Sequence, residues 1–365
     1  TGRGTWAKVS GQADGTLVGN QYTFVASDNG DAQFYLVSGV AENLTVTATD
    51  TATSASGTSG TVQFLDNAFV VTPTDALGTT IIAGRDHAMQ LAFWKKDPTT
   101  GLCGVETSYT GSHNLDAWYT PDGSHPAGAA APSIGAVTLP AADPGGQAVF
   151  NLSLNFTNGV ASFNLATADV GKYLLNFEDD TRAFSNAVDI AGSSATLTAR
   201  PFALQATIAG NPGASAAGGT VFTSAGSNFS ATVRGVLWQA ADDGNNDGIP
   251  DLTGAALNVA LADNAVAPRF AWATTLAPDS AGYTPAGGAL GGLANGSIAQ
   301  GSYSGGAATA TTLQYSEVGS FTLLATANNY LNSGLTLSAN AGVVGRFKPH
   351  HFVLTPSLTN RQGAS

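Results

Sequence analysis

Cysteine is almost missing. Cys103 stands alone in 365 residues, so no disulfide can form within the chain. That excludes the small disulfide-stapled scaffolds and leaves the compartment open. Charge is scarce as well: Asp, Glu, Lys and Arg make up 10% of the residues. Only 13 Lys and Arg stand against 25 Asp and Glu, a formal net charge of −12. With no basic stripe to displace phosphate counterions, nucleic-acid binding is excluded and anionic membrane surfaces are disfavoured. No apolar run reaches the roughly 18 residues of a membrane-spanning helix. Methionine occurs once, and the helix formers Glu, Lys and Arg are also rare, which argues against a helical chain. No initiator Met or leader pattern opens the chain. Its first residues read as mid-domain strands, which leads us to expect a processed or truncated piece of something longer.

What is abundant is Gly, 45 residues of it, together with Ser, Thr, Ala and Asn. Hydrophobic residues still reach 43% and fall in alternating runs. This combination fits short strands and many turns around real cores, not disorder. The clearest stretch runs from Gln314 to Tyr330. After Glu317, Val318 and Gly319, the residues Phe321, Leu323 and Ala325 share one face at period two, as in a half-buried strand. The same device occurs as Asp169-Val-Gly-Lys-Tyr173, followed by Leu175 and Phe177. A weaker copy is Val40-Ala-Glu-Asn-Leu44. Val318-Gly319 lies 148 residues after Val170-Gly171. A Phe before an apolar pair recurs at Phe69, Phe202 and Phe352, and these are read as closing strands. Phe352 follows Phe202 by 150 residues, close to the other offset.

The expected fold is therefore all-β, with tandem immunoglobulin-like β-sandwiches. The expected units are 1–73 (partial), 74–205 and 206–355, with 356–365 a tail or the start of another unit. Thr51 to Thr61 reads as a Ser/Thr/Gly loop, and Lys95 to Gly101 as a polar turn. Asp-x-Gly-x-Tyr before an alternating strand is the mark of a tyrosine corner, in which the hydroxyl bonds back to the backbone. Tyr173 can serve that role, whereas Phe321 can only pack.

The best candidate site is the run Asp243-Gly-Asn245-Asn-Asp247-Gly248-Ile249-Pro-Asp251. Acidic or amide oxygens fall at loop positions one, three, five and nine, with the Ile249 carbonyl at seven and a turn-forming Gly at six. That pattern suits a hard cation such as calcium. Gly254 stands where an EF-hand has its bidentate Glu, and no flanking helices are expected. The run therefore reads as a shorter extracellular-type calcium loop, with Asp242 as a further candidate ligand. Glu178-Asp-Asp180 reads as a polar strand end in preference to a second cation site. The five histidines show no metal-ligand spacing, and no strand–helix nucleophile elbow is present. Trp94, Trp118, Trp238 and Trp272 could stack on sugars, but core packing is the commoner role. Neither catalytic residues nor an organic cofactor is expected.

Gly342-Val-Val-Gly-Arg-Phe-Lys-Pro-His-His-Phe352 resembles the Gly-Arg-Phe-x-Pro-x-His-Phe signature of the MshQ-like proteins of Gram-negative bacteria. They are named after a protein of the mannose-sensitive haemagglutinin pilus locus, and His350 stands where that signature usually has Asp. The resemblance extends to Ala199-Arg-Pro-Phe-Ala, to Gly218 through Phe229, to Tyr315-Ser-Glu-Val-Gly and to Ala41-Glu-Asn-Leu-Thr-Val. It covers nearly the whole chain and implies a secreted or cell-surface protein of immunoglobulin-like units tied to a type IV pilus system. Expected partners are other pilus or surface proteins, a second copy, or a glycan or host-surface ligand. An adhesive or structural module is the leading expectation. A self-assembling surface-layer or filament subunit is the alternative, as is an accessory module of a secreted polysaccharide-degrading enzyme.

Overall fold

Alternating apolar side chains fold as read, into strands with one buried face. The computed structural model describes residues 4–38, 42–97, 100, 102–146, 149–182 and 189–356. The start of the weak copy (Val40, Ala41), part of the turn after Lys96 and residues 357–365 lie outside the described residues. At the N-terminal end, β1 (Thr5–Lys8), β2 (Thr16–Val18), β3 (Gln21–Thr23), β4 (Phe34–Val37), β5 (Glu42–Thr49) and β6 (Ser56–Phe64) form three separate ladders. These are β1–β4, β2–β3 and β5–β6. Among the described residues, three buried apolar clusters form, and none draws on residues before Phe69. The stretch expected as a Ser/Thr/Gly loop is a strand from Ser56 onward. Its β-branched Thr residues suit a ladder, and Thr47 and Thr58 meet across it, hydroxyl to hydroxyl, at 3.0 Å.

The first complete sandwich holds β7 (Asn67–Pro73), β8 (Thr80–Ile82), β9 (His87–Lys96), β10 (Cys103–Val105), β11 (Gly111–Pro121) and β12 (Ser133–Ile134). It continues with β13 (Val137–Thr138), β14 (Leu152–Phe156), β15 (Val160–Ala166), β16 (Gly171–Asp179), β17 (Ile190–Ser193) and β18 (Leu197–Arg200). One sheet runs β10-β9-β15-β12-β13, with β7 also on β9; the other runs β14-β11-β16-β18-β8, with β17 on β16. Between them Phe69, Phe93, Tyr109 and Phe156 form one ring cluster.

The second complete sandwich holds β19 (Ala203–Ile208), β20 (Thr223–Ser224), β21 (Asn228–Val236), α1 (Gly254–Ala260) and β22 (Thr274–Thr284). Then come β23 (Leu293–Ala294), β24 (Ser297–Ile298), β25 (Ala307–Tyr315), β26 (Gly319–Tyr330) and β27 (Leu335–Lys348). Its sheets run β19-β21-β25-β23 and β20-β27-β26-β22-β24. In both sandwiches a short second strand crosses over to lie parallel to the last one, β8 on β18 and β20 on β27. The shared order is that of an immunoglobulin-like sandwich. Gly171 and Gly319 open the corresponding strand in each, β16 and β26, so the repeated Val-Gly marks one architectural position.

Four expectations are corrected. Phe69-Val70-Val71 does not close the first unit: it lies in β7, pairs with β9, and buries Phe69 and Val71 in the core that follows. Phe202 likewise stands after the last strand of its sandwich and just before β19. An alternating apolar run reads the same whether it opens or closes a sandwich; only its ladder partner decides. His350 and His351 sit beyond the end of β27, exposed, and Phe352, Val353 and Leu354 are 84%, 78% and 90% exposed. Tyr173 is buried, but its hydroxyl bonds to no backbone group, so it packs against Tyr119 and His125 and makes no tyrosine corner. Phe321 packs as expected, between Tyr315 and Phe347.

Candidate functional site

Where β21 ends at Val236, the chain must leave the sheet, and Asp and Asn bend it by accepting backbone N–H groups. The loop closes through Asp251 N–H donating to the Asp242 carbonyl at 2.8 Å. Asp243, 1% exposed, is its centre. One carboxylate oxygen accepts from Asp247 N–H at 3.0 Å; the other accepts from Gly248 N–H at 2.8 Å and Trp238 Nε1–H at 2.7 Å. Asp247 accepts from Ile249 N–H at 2.8 Å and from Asn245 Nδ2–H at 2.9 Å. Asp251 accepts from Gly244 N–H at 2.8 Å. Gly248 has φ +79, and a Cβ there would stand 2.6 Å from Leu77 Cδ1.

All five expected positions thus lie in one closed loop. Asp243, Asn245 and Asp247 are linked by hydrogen bonds, Asp251 is tied to the Gly244 and Asp242 backbone, and Ile249 donates its N–H to Asp247. The oxygens are of the kind a hard cation takes, and Asp242, 8% exposed, has a buried Oδ2 without a partner. Among the described residues no three His, Cys, Asp or Glu groups stand at ion-holding spacing. An ion in this loop would have to draw on carboxylates now engaged with backbone N–H groups. The expected absence of a flanking helix is corrected. The seven-residue α1 follows at Gly254, favoured by its Ala and Leu content. It is anchored sideways, the Asn258 amide pairing in both directions with the Ala206 backbone at 2.8 Å.

The loop also does something its sequence pattern does not announce: it clasps the preceding sandwich. Arg85, in the β8–β9 connection, donates through Nε to Asn246 Oδ1 at 2.9 Å and through Nη2 to the Asn246 carbonyl. The same guanidinium pairs with Asp75 at 2.9 Å, both side chains buried. Only Pro201 and Phe202 separate β18 from β19. Phe202 joins Ile82, Ala203, Val236 and Leu261 in a small apolar core spanning the junction. Further bonds cross it: Trp238 N–H to the Ala83 carbonyl at 2.9 Å, Arg269 N–H to Asp169 Oδ1 at 3.0 Å, and Ser124 Oγ–H to the Leu331 carbonyl at 2.9 Å. Sequence alone does not mark Arg85, Asn246 or Phe202 as functional. No local motif marks a residue whose partner lies 161 positions away.

A cleft of about 670 Å³ opens along this junction, lined by His125, Arg269, Trp272 and Tyr303. Trp272 is only part-buried; its Nε1–H donates to the Asn328 carbonyl at 2.8 Å. Trp94 is 38% exposed, and Trp118 and Trp238 are part-buried, so none of the four is a fully buried core residue. The histidines do not converge. His87 is buried, donates from Nε2 to the Gly78 carbonyl at 2.8 Å, and has its pKa held down by burial. His125 accepts from Lys172 N–H at 3.1 Å, and burial holds its pKa down too. Glu178 stands directly opposite Asp116 across β11 and β16, and the charge of Asp180, just past the end of β16, reaches Asp116.

Among solved structures, the chain is similar to the Yersinia pseudotuberculosis adhesin InvE, with 13% identity and a TM-score of 0.31, over 76% of this chain and 58% of that one. It is also similar to invasin, titled a bacterial integrin-binding protein, with 14% identity and a TM-score of 0.26, over 92% of this chain and 52% of that one. The chain thus spans little more than half of either structure. No curated protein matches it. Three family models match in succession. "Domain of unknown function (DUF6701), first Ig-like domain" covers residues 45–193, the second domain of the same family covers 180–313, and the third covers 317–364. Together they run over most of the chain, which belongs to the DUF6701 family.

Proposed function

We propose that this chain is a non-catalytic adhesive or structural module, secreted to the bacterial cell surface and working with a type IV pilus system, as the MshQ-like resemblance implies. The observation that carries the reading is the junction. Two complete sandwiches follow one another across two residues, share an apolar core and are clasped by Arg85. A linker-free, hydrogen-bonded junction resists bending, and a stiff tandem holds whatever it bears away from its anchor. Calcium in the loop of Asp243, Asn245, Asp247, Ile249 and Asp251 would stiffen the clasp, since the loop's Asn246 is the residue Arg85 grips. The junction cleft, with Trp272 and Tyr303, is the surface we assign to a glycan or host-surface ligand. Among the described residues no helix is long and apolar enough to cross a membrane.

A second reading, a self-assembling surface subunit, is favoured by one observation: three consecutive exposed apolar side chains, Phe352, Val353 and Leu354. Gold-labelled antibody on intact cells and sheared filaments separates the readings. Sparse spots or labelled pilus ends support adhesion. Continuous label along filaments or a lattice makes the chain an assembly subunit. Label confined to the medium overturns both and points to an accessory module of a secreted enzyme. The calcium part has its own test: the melting temperature should fall in EDTA, and an unchanged melt would sink it.

A further inference from the structure

Arg200, the last residue of β18, lines a second cleft of about 590 Å³, walled by residues 249–253, α1, β26 and β27. The side chain is part-buried. Its Nη1 donates to the Pro201 carbonyl at 2.9 Å and to the Phe202 carbonyl at 2.8 Å. Among the described residues its Nε and Nη2 meet no acceptor, and no carboxylate pairs with it. No Asp or Glu lines the cleft, although the chain carries 25 of them. Burial pushes the guanidinium down to about 10, and no acid stands near enough to raise it again. A charge drawn out of water is costly until an opposite charge meets it. Nε–H and one Nη2–H lie side by side on the guanidinium, the pair that grips both oxygens of a carboxylate.

We propose that this cleft takes an extended peptide segment of a partner protein, with an Asp or Glu side chain on Arg200 and apolar neighbours against the leucine wall. Ile249 and Leu252 are 54% and 45% exposed on that wall, and Leu257, Leu324 and Leu335 are part-buried in it. The rim is polar. Among the described residues the hydroxyls of Thr253, Thr326 and Ser338 make no hydrogen bond. Such groups serve the N–H and C=O of a bound backbone; an alkyl chain has no use for them. A sugar would want a ring to stack on, and the aromatic side chain here, Phe202, is 1% exposed. The volume lies within the range of small-ligand and peptide sites, roughly 300–1,000 Å³. The cleft is separate from the one lined by Trp272, so the assignment does not rest on the adhesive reading.

The test selects a displayed library of random seven-residue peptides on the full chain. Enriched peptides should carry Asp or Glu flanked by apolar residues. A synthetic copy of the most enriched one should bind at least tenfold more weakly once its acid is changed to the amide. Arg200→Met should weaken the acidic peptide by at least tenfold as well. Arg200 also holds two backbone carbonyls, so a second variant is needed. Leu252→Glu, at an exposed position of the cleft, supplies a carboxylate of its own; it should melt no lower than wild type and bind the peptide at least tenfold more weakly. The proposal is overturned if no acidic peptide is enriched, or if folded Arg200→Met binds the peptide as tightly as wild type. Should Arg200→Met fail to fold, unchanged binding by Leu252→Glu overturns it. If decanoate or an oligoglucuronate binds through Arg200 and no peptide does, the occupant is a lipid or a glycan and the peptide assignment falls. The surface-labelling result does not depend on any of these outcomes.

Discussion

Asp116 shows how far one residue can depart from its surroundings. A carboxyl in water titrates near 3.8; here burial among other acids lifts it to about 6. Below the lower value both folded and unfolded chains hold the proton, and the native state gains in full from its neutral Asp116. As pH rises toward about 6 the unfolded chain has already released the proton and the folded chain still holds it, so that gain is lost. The residue therefore makes the sandwich less stable at pH 7 than at pH 4. The gap between 3.8 and about 6 corresponds to about 3 kcal/mol at most. His87 acts in the opposite direction: its lowered pKa means that stability falls as pH drops below the usual imidazole value. The clean measurement is thus a difference. The melting temperature of wild type minus that of Asp116→Asn, taken in EDTA, should fall as pH rises from 4 to 7. A flat difference would refute the account.

At the scale of elements, the Val-Gly repeat does two different jobs in one architectural place. Gly319 has φ +98, and a Cβ there would stand 1.8 Å from the Thr284 carbonyl oxygen. Neither the backbone angle nor a rigid neighbour can yield. Gly171 has no such φ; its hypothetical Cβ meets the His125 ring at 2.8 Å, and a ring can shift. Gly319→Ala should therefore cost about 3–5 kcal/mol, from backbone strain plus overpacking. Gly171→Ala should cost about 1–3 kcal/mol, from overpacking alone. Urea unfolding of both variants checks the order, and equal costs would contradict it. The sequence made the strands and this repeat legible because period-two alternation and turn glycines are local signals. It hid the role of Phe69 and Phe202, because an opening strand and a closing strand carry the same alternation. The acidic loop was legible as a loop from its Asp and Asn spacing, but its grip on Arg85 depends on topology. The meeting of Asp116 with Glu178, 62 positions apart, depends on ladder register, which no local spacing encodes.

At the scale of the molecule, what matters is whether the two complete sandwiches act as one body. Separate domains on a flexible linker unfold independently. Here Phe202 sits 1% exposed in a core to which Ile82 contributes from one side and Val236 and Leu261 from the other. Truncating a buried Phe costs about 3–5 kcal/mol, and that loss falls on the coupling because Phe202 belongs to the junction. Removing the Arg85 guanidinium would leave Asp75 buried without its partner, costing another roughly 3–5 kcal/mol. Wild type should therefore show a single calorimetric transition for the two sandwiches, and Arg85→Met combined with Phe202→Ala should split it in two. Two independent transitions in wild type would mean that the junction bends freely. A freely bending tandem could not serve as the stiff spacer on which the adhesive reading rests.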